Sequence, residues 1–97
     1  MAIGVLATMK VLPEKTQEFE ATFTALAKQV RENEPGNLMY QLTRSRTEPG
    51  VYKVLELYKD QDSITAHGGS DYFRAAGRQF ATQLAGRPEI EYLDSVD

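Results

Sequence analysis

Residues 37–58 read NLMYQLTRSRTEPGVYKVLELY and hold two segments of period two around one turn. In the first, Leu38, Tyr40, Leu42 and Arg44 alternate with Met39, Gln41 and Thr43. In the second, Tyr52, Val54, Glu56 and Tyr58 alternate with Val51, Lys53, Leu55 and Leu57. Successive side chains of a strand point to opposite faces, so each segment predicts a strand. The TEPG between them supplies a proline that presets φ and a glycine that accepts positive φ, and the pair therefore predicts a hairpin. Large apolar groups fall on both faces of the hairpin, yet helices can cover only one. The other face would leave an apolar patch in water, which marks an interface or a ligand site. The pattern predicts a homodimer packed sheet to sheet.

Outward from the hairpin the period changes. Upstream, Phe19, Phe23, Leu26 and Val30 recur at helical spacing, with Pro13 at the start and Pro35-Gly36 at the end. Before that helix, Ile3, Val5, Ala7, Met9 and Val11 alternate with Gly4, Leu6, Thr8, Lys10 and Leu12, a first strand. Downstream, Asp60 caps a short helix through QDSITAH that stops at Gly68-Gly69. Ser70 caps another, in which Phe73, Ala76, Phe80 and Leu84 form a stripe. A last strand carries Ile90, Tyr92 and Val96. The order βαββαβ predicts an α+β, ferredoxin-like fold: a four-stranded antiparallel sheet with its helices on one face. Another two-layer α+β order is the alternative.

The 97 residues fit one domain, 1–97, with no cysteine to staple it and a 41% hydrophobic content that suits a globular core. Net charge is −3 and the eleven basic residues are scattered, which argues against nucleic acid or an anionic membrane surface as partner. No apolar run is long enough to span a membrane and the N-terminus has no export signal, so the expected compartment is the cytoplasm. No P-loop, no Ser-His-Asp set and no metal-ligand pair is present.

The candidates for chemistry are few. His67 is the single histidine, at the end of a short helix. Imidazole titrates near neutrality and could take a phenolic proton; equally, it could serve only the helix C-terminus. Tyr40, Tyr52 and Tyr58 suit either a pocket for an aromatic ring or plain core. Glu56 shares the face of Tyr58, where it could pair with Arg44 across the hairpin or act as a base of raised pKa. Thr8 and Arg44 lie toward strand ends and could each point a donor into a cavity between sheet and helices. Phe73 is expected near the mouth of that cavity, with Phe80 in the helix-facing core.

The spacing of these residues resembles the antibiotic biosynthesis monooxygenase family. The motifs are Glu34-Pro35-Gly36 with Tyr40, Glu56-Leu57-Tyr58, Asp60, Ala66-His67, and Ser70 with Phe73. The resemblance runs over residues 3–94. It implies a dimeric α/β barrel built of ferredoxin-like protomers, each with a cavity between sheet and helices. It also implies oxidation of a quinol, or a related phenolic or polyketide compound, by molecular oxygen without flavin, haem or metal. The deprotonated substrate would itself pass an electron to oxygen. On this resemblance His67 is the expected catalytic residue and Tyr58, Tyr40, Glu56 and Phe73 stand at motif positions; together with Thr8 and Arg44 from the strand ends they are the expected contacts of the aromatic substrate. Where the family often has tryptophan this chain has Tyr58, and the first strand offers Thr8 where a haem-degrading branch has asparagine. Haem degradation is thus disfavoured, and a non-catalytic small-molecule-binding dimer or an isomerase on a small oxygenated metabolite stays as the alternative.

Overall fold

The structure is a computed structural model and describes residues 1–96. Its elements are strand β1 (Ile3–Lys10), a 3-10 turn (Pro13–Lys15), helix α1 (Thr16–Asn33), strands β2 (Asn37–Arg44) and β3 (Val51–Tyr58), helices α2 (Gln61–Gly68) and α3 (Asp71–Phe80), and strand β4 (Glu89–Asp94). The four strands form one antiparallel sheet in the order β2-β3-β1-β4. This is the ferredoxin-like α+β arrangement that the sequence pattern predicts.

Cross-strand register explains which side chains enter the core. Val5, Ala7 and Met9 of β1 stand opposite Glu56, Val54 and Tyr52 of β3, and Val5 and Ala7 stand opposite Tyr92 and Ile90 of β4. This face meets α1, whose Phe19, Phe23, Leu26, Ala27 and Val30 are all buried. Aromatic rings knit the two layers. Phe23 stacks on Tyr40 at 5.2 Å, and Phe19 meets Tyr52 at 4.9 Å and Phe80 at 5.3 Å. Such pairs add to the stabilisation that burial of their area supplies.

Coverage by the helices is unequal. Helix α1 packs on β2 and α3, and α2 packs on α3 and β3, while β4 contacts little besides β1. Every residue of β4 is exposed, including Ile90 and Tyr92 on the helix side of the sheet. On the opposite face Leu6 and Leu55 pair, as do Gly4 with Leu57 and Leu93, and Met39 with Leu57. Met39, Leu55 and Leu93 are 47%, 41% and 47% exposed.

Two local expectations differ from the structure. The register slips between Asn37 and Met39, a bulge that removes Leu38 from the alternation and leaves it exposed. The helical stripe to Leu84 is shorter than its spacing suggests. Helix α3 ends at Phe80, and Leu84 reaches the core instead through a bridge to Val11, held by Leu12 N–H on the Gln83 carbonyl. Packing against β1 keeps the side chain in register while the backbone has left the helix.

The turn in the hairpin depends on Gly50. Its φ is +78°, its carbonyl accepts from Val11 N–H at 2.8 Å, and a Cβ there would stand 2.9 Å from the Val11 carbonyl oxygen. An L-residue in this region costs about 1–2 kcal/mol before the contact is counted. Gly50→Ala should therefore lower Tm by roughly 5–15 °C in thermal unfolding followed by circular dichroism. Gly77→Ala, on the open side of α3 where a Cβ meets nothing within 4 Å, should raise it by a few degrees.

Candidate active site

The cavity lies between the sheet and α2–α3 and measures about 260 Å³. Val5, Ala7, Met9 and Val54 form its floor, Ile64, Phe73 and Phe80 its roof, and Pro88, Ile90 and Tyr92 its rim. Besides Tyr92 at the rim, four polar side chains line this apolar shell: Tyr40, Glu56, Tyr58 and His67. An apolar cavity of about 150 Å³ accepts a benzene ring, so this one has room for one or two fused rings.

Local chemistry sets the position of His67. Asp60 starts α2 by accepting from Ser63 N–H at 2.9 Å and Ser63 Oγ at 2.6 Å. At the other end Ser70 Oγ donates to the His67 carbonyl at 2.8 Å and accepts from Phe73 N–H at 3.3 Å, so one serine closes α2 and opens α3. The helix end is thus satisfied by Ser70 and by Gly69 N–H, and the imidazole is not spent on it. The ring instead turns inward, 4.5 Å from Phe73, 5.3 Å from Tyr40 and 5.6 Å from Tyr58 between centroids.

Its partner is Glu34, at the C-terminal cap of α1. The two carboxylate oxygens lie 2.9 and 3.1 Å from His67 Nδ1, and Tyr72 Oη donates to the same carboxylate. Both members of the pair are 8% exposed. A buried carboxylate needs such donors. Because it only accepts, it places a proton on Nδ1 and leaves Nε2 as the free ring nitrogen. Gly36 lets α1 end this close to α2: a Cβ there would lie 2.0 Å from Ser63 Oγ, and its carbonyl accepts from Lys59 N–H at 2.9 Å.

Among the described residues, the sealed side-chain nitrogens and oxygens without a partner are Asn37 Nδ2 and Gln83 Oε1. His67 Nε2 and Tyr40 Oη make no hydrogen bond either but keep some accessible surface, and both side chains line the cavity. Tyr58 Oη donates to Glu56 Oε1 at 2.7 Å. Burial pushes the Glu56 carboxyl above its ordinary range, an effect that the Tyr58 hydroxyl and His67 partly offset. Burial, then the charge of Glu56, pushes the Tyr40 and Tyr58 phenols up as well. At neutral pH these two tyrosines are therefore hydrogen-bond donors and not phenolate bases.

The structure thus brings His67, Tyr58, Tyr40, Glu56 and Phe73 around one cavity. It places Thr8 and Arg44 elsewhere. Thr8 falls between Ala7 and Met9, so the alternation of β1 turns it to the opposite sheet face, across from Lys53 and Glu89. Arg44 sits at the far end of β2 and pairs with Glu20 of α1 at 3.3 Å, and the Tyr52 hydroxyl donates to the same carboxylate. Glu56 and Arg44 therefore form no pair. Sequence reasoning gave no role to Glu34 beyond its turn motif, nor any to Tyr72. Glu34 is 33 residues from His67 and 38 from Tyr72, the two side chains that it joins, and only the meeting of α1 with α2 and α3 reveals the cluster. Among the described residues no group of three or more His, Cys, Asp or Glu is placed to hold a metal ion, and no helix is long and apolar enough to cross a membrane.

The model of the antibiotic biosynthesis monooxygenase family matches residues 2–79. A Caulobacter crescentus protein, provisionally called an antibiotic biosynthesis monooxygenase, is 59% identical, with a TM-score of 0.97 over 99% of this chain and 91% of that one. A conserved protein of Methanosarcina mazei is 29% identical, with a TM-score of 0.93 over 99% of this chain and 94% of that one. A Mycobacterium tuberculosis protein shares the fold at 22% identity, with a TM-score of 0.90 over 100% of this chain and 97% of that one. A comparison with curated proteins finds no match. The chain belongs to the antibiotic biosynthesis monooxygenase family.

The raised pKa of Glu56 has a consequence for stability. A carboxyl whose pKa is higher folded than unfolded stabilises the fold fully only below its ordinary value of 4.5, and that contribution is lost as pH rises through the folded pKa. Glu56→Gln keeps an oxygen to accept from Tyr58 and has no charge to bury. Urea titrations should find it more stable than the parent at neutral pH, with the difference closing below about pH 4. An equal difference at both values would contradict the burial effect.

Proposed function

We propose that this chain is a monooxygenase that oxidises a small quinol or related phenol with molecular oxygen, using no cofactor. The observation that carries the reading is the Glu34–His67 pair, which engages Nδ1 and leaves the other ring nitrogen unbonded on a side chain that lines an apolar cavity. Membership of the family supports it. His67 Nε2 takes a proton from the substrate hydroxyl, and Glu34 stabilises the imidazolium that forms. Tyr40 Oη donates to a substrate oxygen, and Phe73 and Tyr58 bound the ring. The resulting phenolate is electron-rich enough to reduce oxygen directly. One oxygen atom then forms a new C–O bond at a ring C–H carbon, the O–O bond breaks, and the other atom leaves as water with the proton returned by His67 and the proton released from that carbon. Quinol plus oxygen thus gives hydroxyquinone plus water. The ring supplies all four electrons, two on gaining the oxygen atom and two on becoming a quinone, so no external reductant enters.

The protein acts, on this reading, as a homodimer joined through the open sheet face where Met39, Leu55 and Leu93 are exposed. Sedimentation should give twice the chain mass, and Leu55→Lys should shift it to that of one chain.

Metal-stripped protein should consume oxygen in proportion to quinol lost. His67→Ala should lower kcat by roughly a hundredfold or more. Glu34→Gln, which keeps an acceptor for Nδ1 but removes the charge, should lower kcat with little change in KM. An unchanged rate in His67→Ala would remove the histidine from the mechanism. No uptake on any quinol, with ligands still raising Tm, would favour a binding protein or an isomerase.

A further inference from the structure

The cavity has a charge character as well as a shape. Its lining holds no lysine or arginine. Its ionisable members besides the tyrosines are Glu56 and His67, and the charge of a protonated His67 is already matched by Glu34 at 2.9 Å. Two basic side chains of the neighbouring elements are engaged elsewhere, Arg44 with Glu20 and Arg31 on the Tyr40 carbonyl at 3.3 Å. Glu56 accepts one hydrogen bond, at Oε1 from Tyr58, and its other oxygen is neither bonded nor sealed. An acidic ligand in this space would lose its water, meet no cation and face a carboxylate.

We infer that the cavity selects uncharged phenols and excludes acidic ones, with Glu56 as the residue that enforces the choice. The inference rests on the reading of the cavity as a phenol site, but not on any turnover there. Like-charge juxtaposition is an effective means of rejecting a wrong ligand of the right shape. A phenol bearing a carboxylate, phosphate or sulfate would be refused although its ring fits. The substrate would then have to be supplied by a reaction that leaves the ring without an ionised substituent, such as a decarboxylation or a dephosphorylation.

The test is equilibrium binding by calorimetry with three probes of one ring system: 1-naphthol, 1-hydroxy-2-naphthoate and 1-naphthylmethylammonium. Against the intact protein, 1-naphthol should bind at least about tenfold more tightly than the carboxylate, and the cation should also bind more tightly than the carboxylate. Glu56→Gln should narrow the naphthol-to-carboxylate ratio to within about threefold. Equal or tighter binding of the carboxylate by the parent would overturn the inference, as would a ratio that Glu56→Gln leaves unchanged or a failure of 1-naphthol to bind. The parent ratios alone decide the matter if the variant does not fold. Selective binding without oxygen uptake would sink the oxidation reading and leave this one standing. Uptake together with unselective binding would do the reverse.

Discussion

A carboxylate and an imidazole that start 33 residues apart are joined by two short contacts under the helical layer. Much of the site follows from that union. Glu34 ends α1 and His67 ends α2, so their hydrogen bond fastens two helix termini together over the sheet. It also determines which ring nitrogen is left unbonded. Without the carboxylate the imidazole would be free to present either nitrogen, and Tyr72 would lose the acceptor that ties α3 to the same point. The closeness of Gly36 to Ser63 serves this union, since any side chain at position 36 would force the end of α1 away from α2.

The two layers of the molecule have different duties. The sheet provides an apolar floor and, through Tyr40, Glu56 and Tyr58, polar groups fixed by cross-strand pairing. The helices provide the imidazole and the aromatic roof. A polar group on a paired strand cannot swing far, and one at a helix corner closed by Ser70 is equally constrained. The site is therefore preorganised by hydrogen bonds made before any ligand enters, which reduces the ordering that binding would otherwise require.

Strand faces were legible because period two admits a single offset. Tyr52, Val54 and Tyr58 share one face, as their alternation indicates, and the structure buries that face under the helices. The same rule turns Thr8 outward, and it outweighs any expectation based on closeness to a strand end. Leu38 escaped the rule because a bulge is a local backbone event with no residue type that announces it. Helix α3 was read too long because Leu84 keeps helical spacing while bonding as part of an extended bridge. The cavity lining was readable wherever it depended on parity. Glu34 and Tyr72 were hidden because their meaning arises from two helix ends meeting, and no spacing within one segment encodes that.

The rim of the cavity is built from the least secured part of the sheet. Strand β4 is hydrogen-bonded on one side only, is exposed at all six residues, and is the element that the helices leave uncovered. Few buried apolar contacts and exposed backbone hydrogen bonds are the features of segments that open locally most easily. The wall of the cavity is thus unevenly tied: its floor and roof belong to the aromatic core, while its rim hangs on the backbone bonds of one strand pair.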